Sequence, residues 1–208
     1  IYGVDEVIIK RTAVVDNHAN NGIGGILIEF ADVTLDNVTV SENTSTYGGT
    51  IYVGEGGHVD LTNSILWGNG DGTETLPGEV LLEEGGSLTA NYNDIEGGYG
   101  IGFGNIDADP LFTNPDSGDF TLQQGSPCID AGIADLDWDG IEDITDYFGS
   151  APDMGAFEYF IALGVDNDGL PTSYMIHQNY PNPFNPVTTL RYDLPEDALV
   201  NITIYDMM

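Results

Sequence analysis

The chain has 208 residues, 41% of them hydrophobic, and 35 Asp and Glu stand against 3 Lys and Arg, a formal net charge of −32. Such a polyanion is repelled by nucleic acid and anionic lipid, so neither is an expected partner; the expected ligand is a hard cation that favours carboxylate oxygens, Ca²⁺ above all. The apolar residues are plentiful and periodic, which argues against disorder, no apolar run approaches the ~18 residues of a membrane span, and the single Cys128 excludes an internal disulfide.

The first hundred residues repeat. VIIKRTAVVDN (7–17), VTLDNVTVSEN (33–43), VDLTNSILWGN (59–69) and LTANYNDIEGG (88–98) align at offsets of 26, 26 and 29 residues. Val7, Val33, Val59 and Leu88 share a column, as do Ile9, Leu35, Leu61 and Ala90, and Val14, Val40, Leu66 and Ile95. Asn17, Asn43 and Asn69 share another, which Gly98 ends, and Asn37 lines up with Asn63. Apolar positions alternate within each copy, which means strand with one face inward. Gly24-Gly25, Gly48-Gly49 and Pro77-Gly78 each precede a further apolar run, ILIEF, TIYV and EVLL. Copies of roughly 20 to 30 residues holding about three short strands are coils of a parallel β-helix. About four stacked coils are predicted over residues 1–100, with Val33, Leu35, Val40, Val59, Leu61 and Leu66 inward and the Asn columns at corners, where Asn tolerates a left-handed bend.

Residues 101–160 carry NIDADPLF (105–112), GDFTLQQGSPCIDAG (118–132) and DMGAFEY (153–159). Between them DLDWDGIEDITD places Asp135, Asp137, Asp139, Asp143 and Asp146 at positions 1, 3, 5, 9 and 12, with Gly140 at position 6. That is the spacing of a Ca²⁺-binding loop, in which the Ile141 carbonyl is a further candidate ligand. Position 12 is Asp rather than Glu and no helical pattern flanks the loop, so an EF-hand is not expected; the alternative is an acidic surface turn. Catalytic signals are weak. The three histidines, His18, His58 and His177, lack metal spacing. Cys128 reads as packed and inert, and Lys10 and Arg11 read as solvated corner residues. The sequons at Asn37, Asn43 and Asn201 carry no weight.

Residues 161–172 read as linker. Then YPNPFNP, Tyr180, Pro181, Asn182, Pro183, Phe184, Asn185 and Pro186, forms a stiff lead-in that cannot join a helix, because each proline fixes φ and biases its predecessor toward extended backbone. Leu190, Tyr192 and Leu194, then Val200, Ile202 and Ile204, alternate as two strands around a turn at Pro195–Ala198.

GGTIYVGEGGHVDLTNSILWGN and NYNDIEGGYG, with the three segments quoted from 101–160, resemble the right-handed parallel β-helix repeats of bacterial secreted and surface proteins and their closing segment. Residues 173–208 resemble the first half of the C-terminal sorting domain of the type IX secretion system, whose members carry YPNPFNP ahead of the first strands of a small β-sandwich. The resemblance implies an all-β exported protein, secreted or on the outer surface of a bacterial cell, with type IX secretion machinery as a partner. A chain that starts with Ile also reads as a piece of something longer. The expected role is binding or display, with polysaccharide as the ligand class. The alternative is a polysaccharide lyase or glycoside hydrolase whose catalytic coils lie upstream of Ile1.

Overall fold

The computed structural model describes residues 1–3, 6–45, 50–70, 79–160, 175–176 and 192–193. The chain divides into two compact units, Ile1–Phe160 and Ile161–Met208. Among the described residues it is all-β apart from one short 3-10 turn.

The alternating runs become short parallel strands. They are β1 (Glu6–Val15), β2 (His18–Ala19), β3 (Ile26–Ile28), β4 (Asp32–Ser41), β5 (Thr44–Ser45), β6 (Ile51–Val53), β7 (His58–Thr62), β8 (Ile65–Trp67), β9 (Val80–Leu82), β10 (Ser87–Asn91) and β11 (Asp94–Ile95). β1 and β4 are long because each continues through a corner; the first half of β4 pairs with β7 and the second half with β8. One face of the coil is thus β1-β4-β7-β10, the next is β1-β4-β8-β11, and the third is β3-β6-β9. The register equals the sequence offsets: Val7 lies on Val33, Val33 on Val59 and Leu88 on Val59. Four levels on the first face and three on the third enclose about three turns of a β-solenoid. The offsets predict about four coils because each copy counts as one, whereas a closed turn needs the level above it as well.

Stacking like over like fills the interior. Val33, Leu35, Val40, Val59, Leu61 and Leu66 are all buried, together with Ile28, Val38, Ile51 and Val53. Leu35 sits on Leu61, and Leu61 on Ala90. The three corners are columns of left-handed residues: Arg11, Asn37, Asn63 and Tyr92; Asp16, Glu42, Gly68 and Gly97; Phe30, Gly56 and Gly85. Asparagine relieves this bend by hydrogen bonding, whereas Arg, Tyr and Phe adopt it because stacking dictates it. The Asn17 Nδ2 group donates to Asn43 Oδ1 (2.8 Å), and Asn43 Nδ2 to Asn69 Oδ1 (3.0 Å), so the asparagine column is a ladder along the corner. A second ladder runs inside: the Ser64 backbone N–H donates to Asn93 Oδ1, and the Asn93 N–H to Asn105 Oδ1. It carries the stacking past residue 100, where Ile106 bridges to Asp94.

Residues 108–160 pack against the coils. β12 (Phe112–Asn114), the 3-10 turn Pro115–Ser117 and β13 (Asp119–Leu122) form an antiparallel hairpin. The chain then climbs the flank of the coils. Cys128 lies against Asp94, Ile133 exchanges hydrogen bonds with Asn63, Asn37 Nδ2 donates to Asp153 O, and Arg11 holds Asp146. This strap buries a second apolar cluster of Ile65, Phe112, Phe120, Leu122, Cys128 and Met154. Asn63→Gly keeps the left-handed backbone but leaves the Ile133 N–H and C=O without partners. The expected loss is ~1–3 kcal/mol, with faster amide exchange at Ile133; exchange unchanged there would show that the strap is held elsewhere.

In the second unit, β14 (Met175–Ile176) pairs antiparallel with β15 (Tyr192–Asp193). The heptad Tyr180–Pro186 and the strand predicted at Val200–Ile204 lie outside the described residues.

Candidate metal loop and adjoining groove

The neck of the acidic loop is closed by the Ala134 carbonyl, which accepts the N–H groups of Asp143 (2.9 Å) and Ile144 (3.0 Å). Inside it each aspartate accepts from nearby backbone, as short carboxylates do in turns. The N–H of Asp139 donates to Asp135 Oδ1 and Asp137 Oδ1, Gly140 to Asp135 Oδ2 (2.8 Å), Ile141 to Asp139 Oδ1 (2.8 Å) and Leu136 to Asp143 Oδ2 (2.8 Å). The sharp turn requires left-handed backbone at Trp138 (φ 63°) and Gly140 (φ 89°). Trp138 reaches back toward Tyr92, with ring centroids 6.1 Å apart.

Of the expected ligand set, the fold brings three together: one carboxylate oxygen from each of Asp135, Asp137 and Asp143 lies within 4.8 Å of the others. Asp135 is half-buried and the other two are exposed. Asp139 is committed to the turn through Ile141, and Ile141 itself is exposed. Asp146 points the other way. Its carboxylate takes two hydrogen bonds from Arg11 (2.5 and 2.6 Å), which hold it below the usual carboxylate range. The trio therefore offers oxygen donors alone, and the two cations among the described residues, Lys10 and Arg11, are paired with Asp36 and Asp146 instead. An all-oxygen, all-anionic donor set suits Ca²⁺.

Lys10 and Arg11 are thus not simply solvated. Stacking by 26 residues puts Lys10 directly over Asp36, and Lys10 Nζ lies 3.0 Å from its carboxylate. Burial pushes the Asp36 carboxyl up, Lys10 pulls it down, and Asp60 and Asp143 push it up further. The Lys10–Asp36 pair was legible from the columns. Arg11–Asp146, 135 residues apart, left no trace in the sequence.

The loop borders a groove on the outward face of the first sheet. One part, about 300 Å³, is lined by Thr34, Asp36, Asp60, Thr62, Thr89 and Asn91, with Leu136 as its edge. A second part of about 230 Å³ shares Asp36 and Leu136 and reaches Lys10 and Asp143. Beyond it, His58 Nδ1 lies 2.8 Å from Ser87 Oγ and its Nε2 lies 3.2 Å from Asp60. His18 bonds Thr44 and Asn20 in another corner, so these two histidines do not converge. Cys128 is buried beside Asp94; burial pushes its thiol well up, and the Asp94 carboxylate adds to the rise. The Asn37 and Asn43 sequons are buried as well.

Comparison of the chain with protein-family models, curated proteins and solved structures gives no match. Among the described residues, no helix is long and apolar enough to cross a membrane.

Proposed function

We propose that this chain is part of an exported β-helix protein of a bacterial cell surface that binds polysaccharide along the outward face of its first sheet. The observation that carries the reading is the groove of Thr34, Asp36, Asp60, Thr62, Thr89 and Asn91. Hydroxyl, amide and carboxylate groups recur there from coil to coil, at the ~4.8 Å spacing of paired strands. A periodic row of hydrogen-bonding groups suits a polymer of sugar units, which presents hydroxyls periodically. Binding is favoured over chemistry because the two cations near the groove are engaged by carboxylates. Affinity electrophoresis of the chain through gels of neutral and acidic polysaccharides tests it. Retardation by a neutral polymer is expected, and Thr62→Val with Thr89→Val should abolish it. Equal mobility in every gel removes the reading, and release of oligosaccharides from the gel polymer replaces it with the hydrolase or lyase alternative.

Export is the second part of the reading. The YPNPFNP heptad and the alternating segments after it support delivery by type IX secretion machinery, with residues 173–208 as part of the signal. A reporter fused to the complete domain should reach the surface of a type IX-competent host. Surface display that survives deletion of the domain would end this assignment.

Ca²⁺ is the third part, with Asp135, Asp137 and Asp143 as the core of its site. Three carboxylates within 4.8 Å repel one another unless a cation lies among them. A ligand that binds only the folded state stabilises by about 2.7 kcal/mol at a hundredfold excess over Kd. Tm should therefore rise with added Ca²⁺ and fall with chelator, and Asp137→Asn with Asp143→Asn should remove the response. A Tm indifferent to Ca²⁺ in the native chain leaves an acidic turn that uses its aspartates only to shape itself.

A further inference from the structure

On the other side of the Arg11–Asp146 pair lies a larger hollow of about 520 Å³. Its rim carries three phenylalanines that a core would ordinarily hide: Phe148, Phe157 and Phe160 are 58%, 40% and 60% exposed. Phe148 and Phe160 meet edge to face with centroids 4.4 Å apart, so each steadies the other while both leave ring surface open. The floor is Gly155 and Ala156, pinned to the solenoid by Gly155 N–H to Asn63 O (2.7 Å) and Ala156 N–H to Thr39 Oγ1 (2.9 Å). A side chain at Gly155 would run into Ile65 and Thr39, and its φ of 96° resists one. The hollow is therefore preformed. Its polar walls are the Arg11–Asp146 pair and the Glu158 carboxylate, which is oriented by the N–H groups of Asp153 and Phe148.

We propose that this hollow is a binding subsite for a neutral saccharide, which lays the C–H face of a pyranose ring on Phe148 and Phe160 and donates hydroxyl protons to Asp146 and Glu158. It takes its ligand class from the polysaccharide reading above, on which it rests, but contains none of the six residues that carry that reading, Thr34, Asp36, Asp60, Thr62, Thr89 and Asn91; Arg11, Asn37 and Asp146 stand between the two. Three observations choose the occupant. The size falls within the range of sites that enclose a small ligand, on the order of 300–1,000 Å³. Residues 151–160 form no strand, so no free sheet edge offers the main-chain hydrogen bonds by which an extended peptide binds. The net charge of −32, the two wall carboxylates and an Arg11 already engaged by Asp146 repel an anionic ligand. A neutral polyol has an apolar ring face for the phenylalanines and hydroxyls for the carboxylates.

The test is aromatic-resonance NMR of the full chain titrated with cellohexaose, xylohexaose and mannohexaose, with hexagalacturonate and tetramethylammonium as charged probes. At least one neutral hexasaccharide should shift the Phe148 and Phe160 ring signals. Phe148→Ala with Phe160→Ala should weaken its binding at least about tenfold, with Tm near that of the native chain because both rings are largely exposed. The subsite is overturned if no neutral hexasaccharide moves those signals, if tetramethylammonium or hexagalacturonate competes at them, or if the double variant binds as the native chain does. Thr62→Val with Thr89→Val separates the two readings. Saccharide binding lost there but kept in the phenylalanine variant removes this subsite and leaves the sheet groove. The reverse result removes the groove and leaves the subsite.

Discussion

Replacing Leu61 with alanine is expected to destabilise the first unit by roughly 2–5 kcal/mol, toward the upper end of that range. Leu61 is fully buried, with Leu35 stacked on one side and Ala90 on the other. Its neighbour Ala90 is already small, so truncation joins two short side chains in one column and leaves a void that rigid, hydrogen-bonded coils cannot close. Stability in a solenoid comes from each coil and its contacts with the next, so a defect in the third level uncouples the second from the fourth. Urea unfolding should show a lower midpoint with an unchanged m-value. Ile8→Ala is the control: Ile8 lies on the same sheet but faces outward, 56% exposed, and should change stability by less than about 0.5 kcal/mol. Equal effects at the two positions would mean that the columns do not form the core.

Period and offset were sufficient to place these columns because a stacked coil repeats its environment, and identical environments select similar residues. The corners were half legible. Asn37 and Asn63 announce a left-handed bend, but Arg11 and Tyr92 adopt the same bend in the same column, and nothing in their own preferences says so. Stacking on Asn37 and Asn63 overrides them. The strap was legible only in outline. Its segments were recognisable, yet the site of docking rests on pairs such as Arg11–Asp146 and Asn37–Asp153, far apart in sequence and without periodicity. One local sign existed: in Ser64-Ile65-Leu66-Trp67 three consecutive apolar residues break the alternation, because Leu66 faces the core while Ile65 faces the strap. An uninterrupted apolar run marks a strand covered on both faces. In the acidic loop, spacing marked twelve residues of which Asp135, Asp137 and Asp143 converge, but could not tell that Asp146 is drawn off by an arginine from the first coil.

Raising the pH from about 5 to about 9 should destabilise the first unit, and Glu79→Gln should remove most of the loss. Glu79 is nearly fully buried at the end of the asparagine ladder, where its carboxyl accepts from Asn69 Nδ2 and the Asn69 N–H. Burial pushes its pKa up to about 8; the Asn69 hydrogen bonds pull it down, and Glu96 pushes it up again. Asp94 behaves alike. Burial carries it up to about 6 against the hydrogen bonds from Cys128 and the Ala108 N–H, with Asp107 and Asp109 adding to the rise. Both folded pKa values lie above those of the unfolded chain, so the native state holds protons that the unfolded state releases. The stability they contribute is complete below about pH 4 and is lost as pH rises through about 6 for Asp94 and about 8 for Glu79. At ~1.4 kcal/mol per pH unit, ionising Glu79 removes up to roughly 5 kcal/mol. Glutamine keeps an acceptor for Asn69 and carries no charge, so between about pH 6 and about pH 9 the variant should be flat where the native chain falls. Diffuse repulsion among 35 acidic residues would also weaken the fold with pH, but one substitution would barely alter it. A pH dependence identical in both chains would assign the loss to that diffuse charge, and stability rising with pH would mean that Glu79 is ionised in the fold and the ladder ends on a carboxylate.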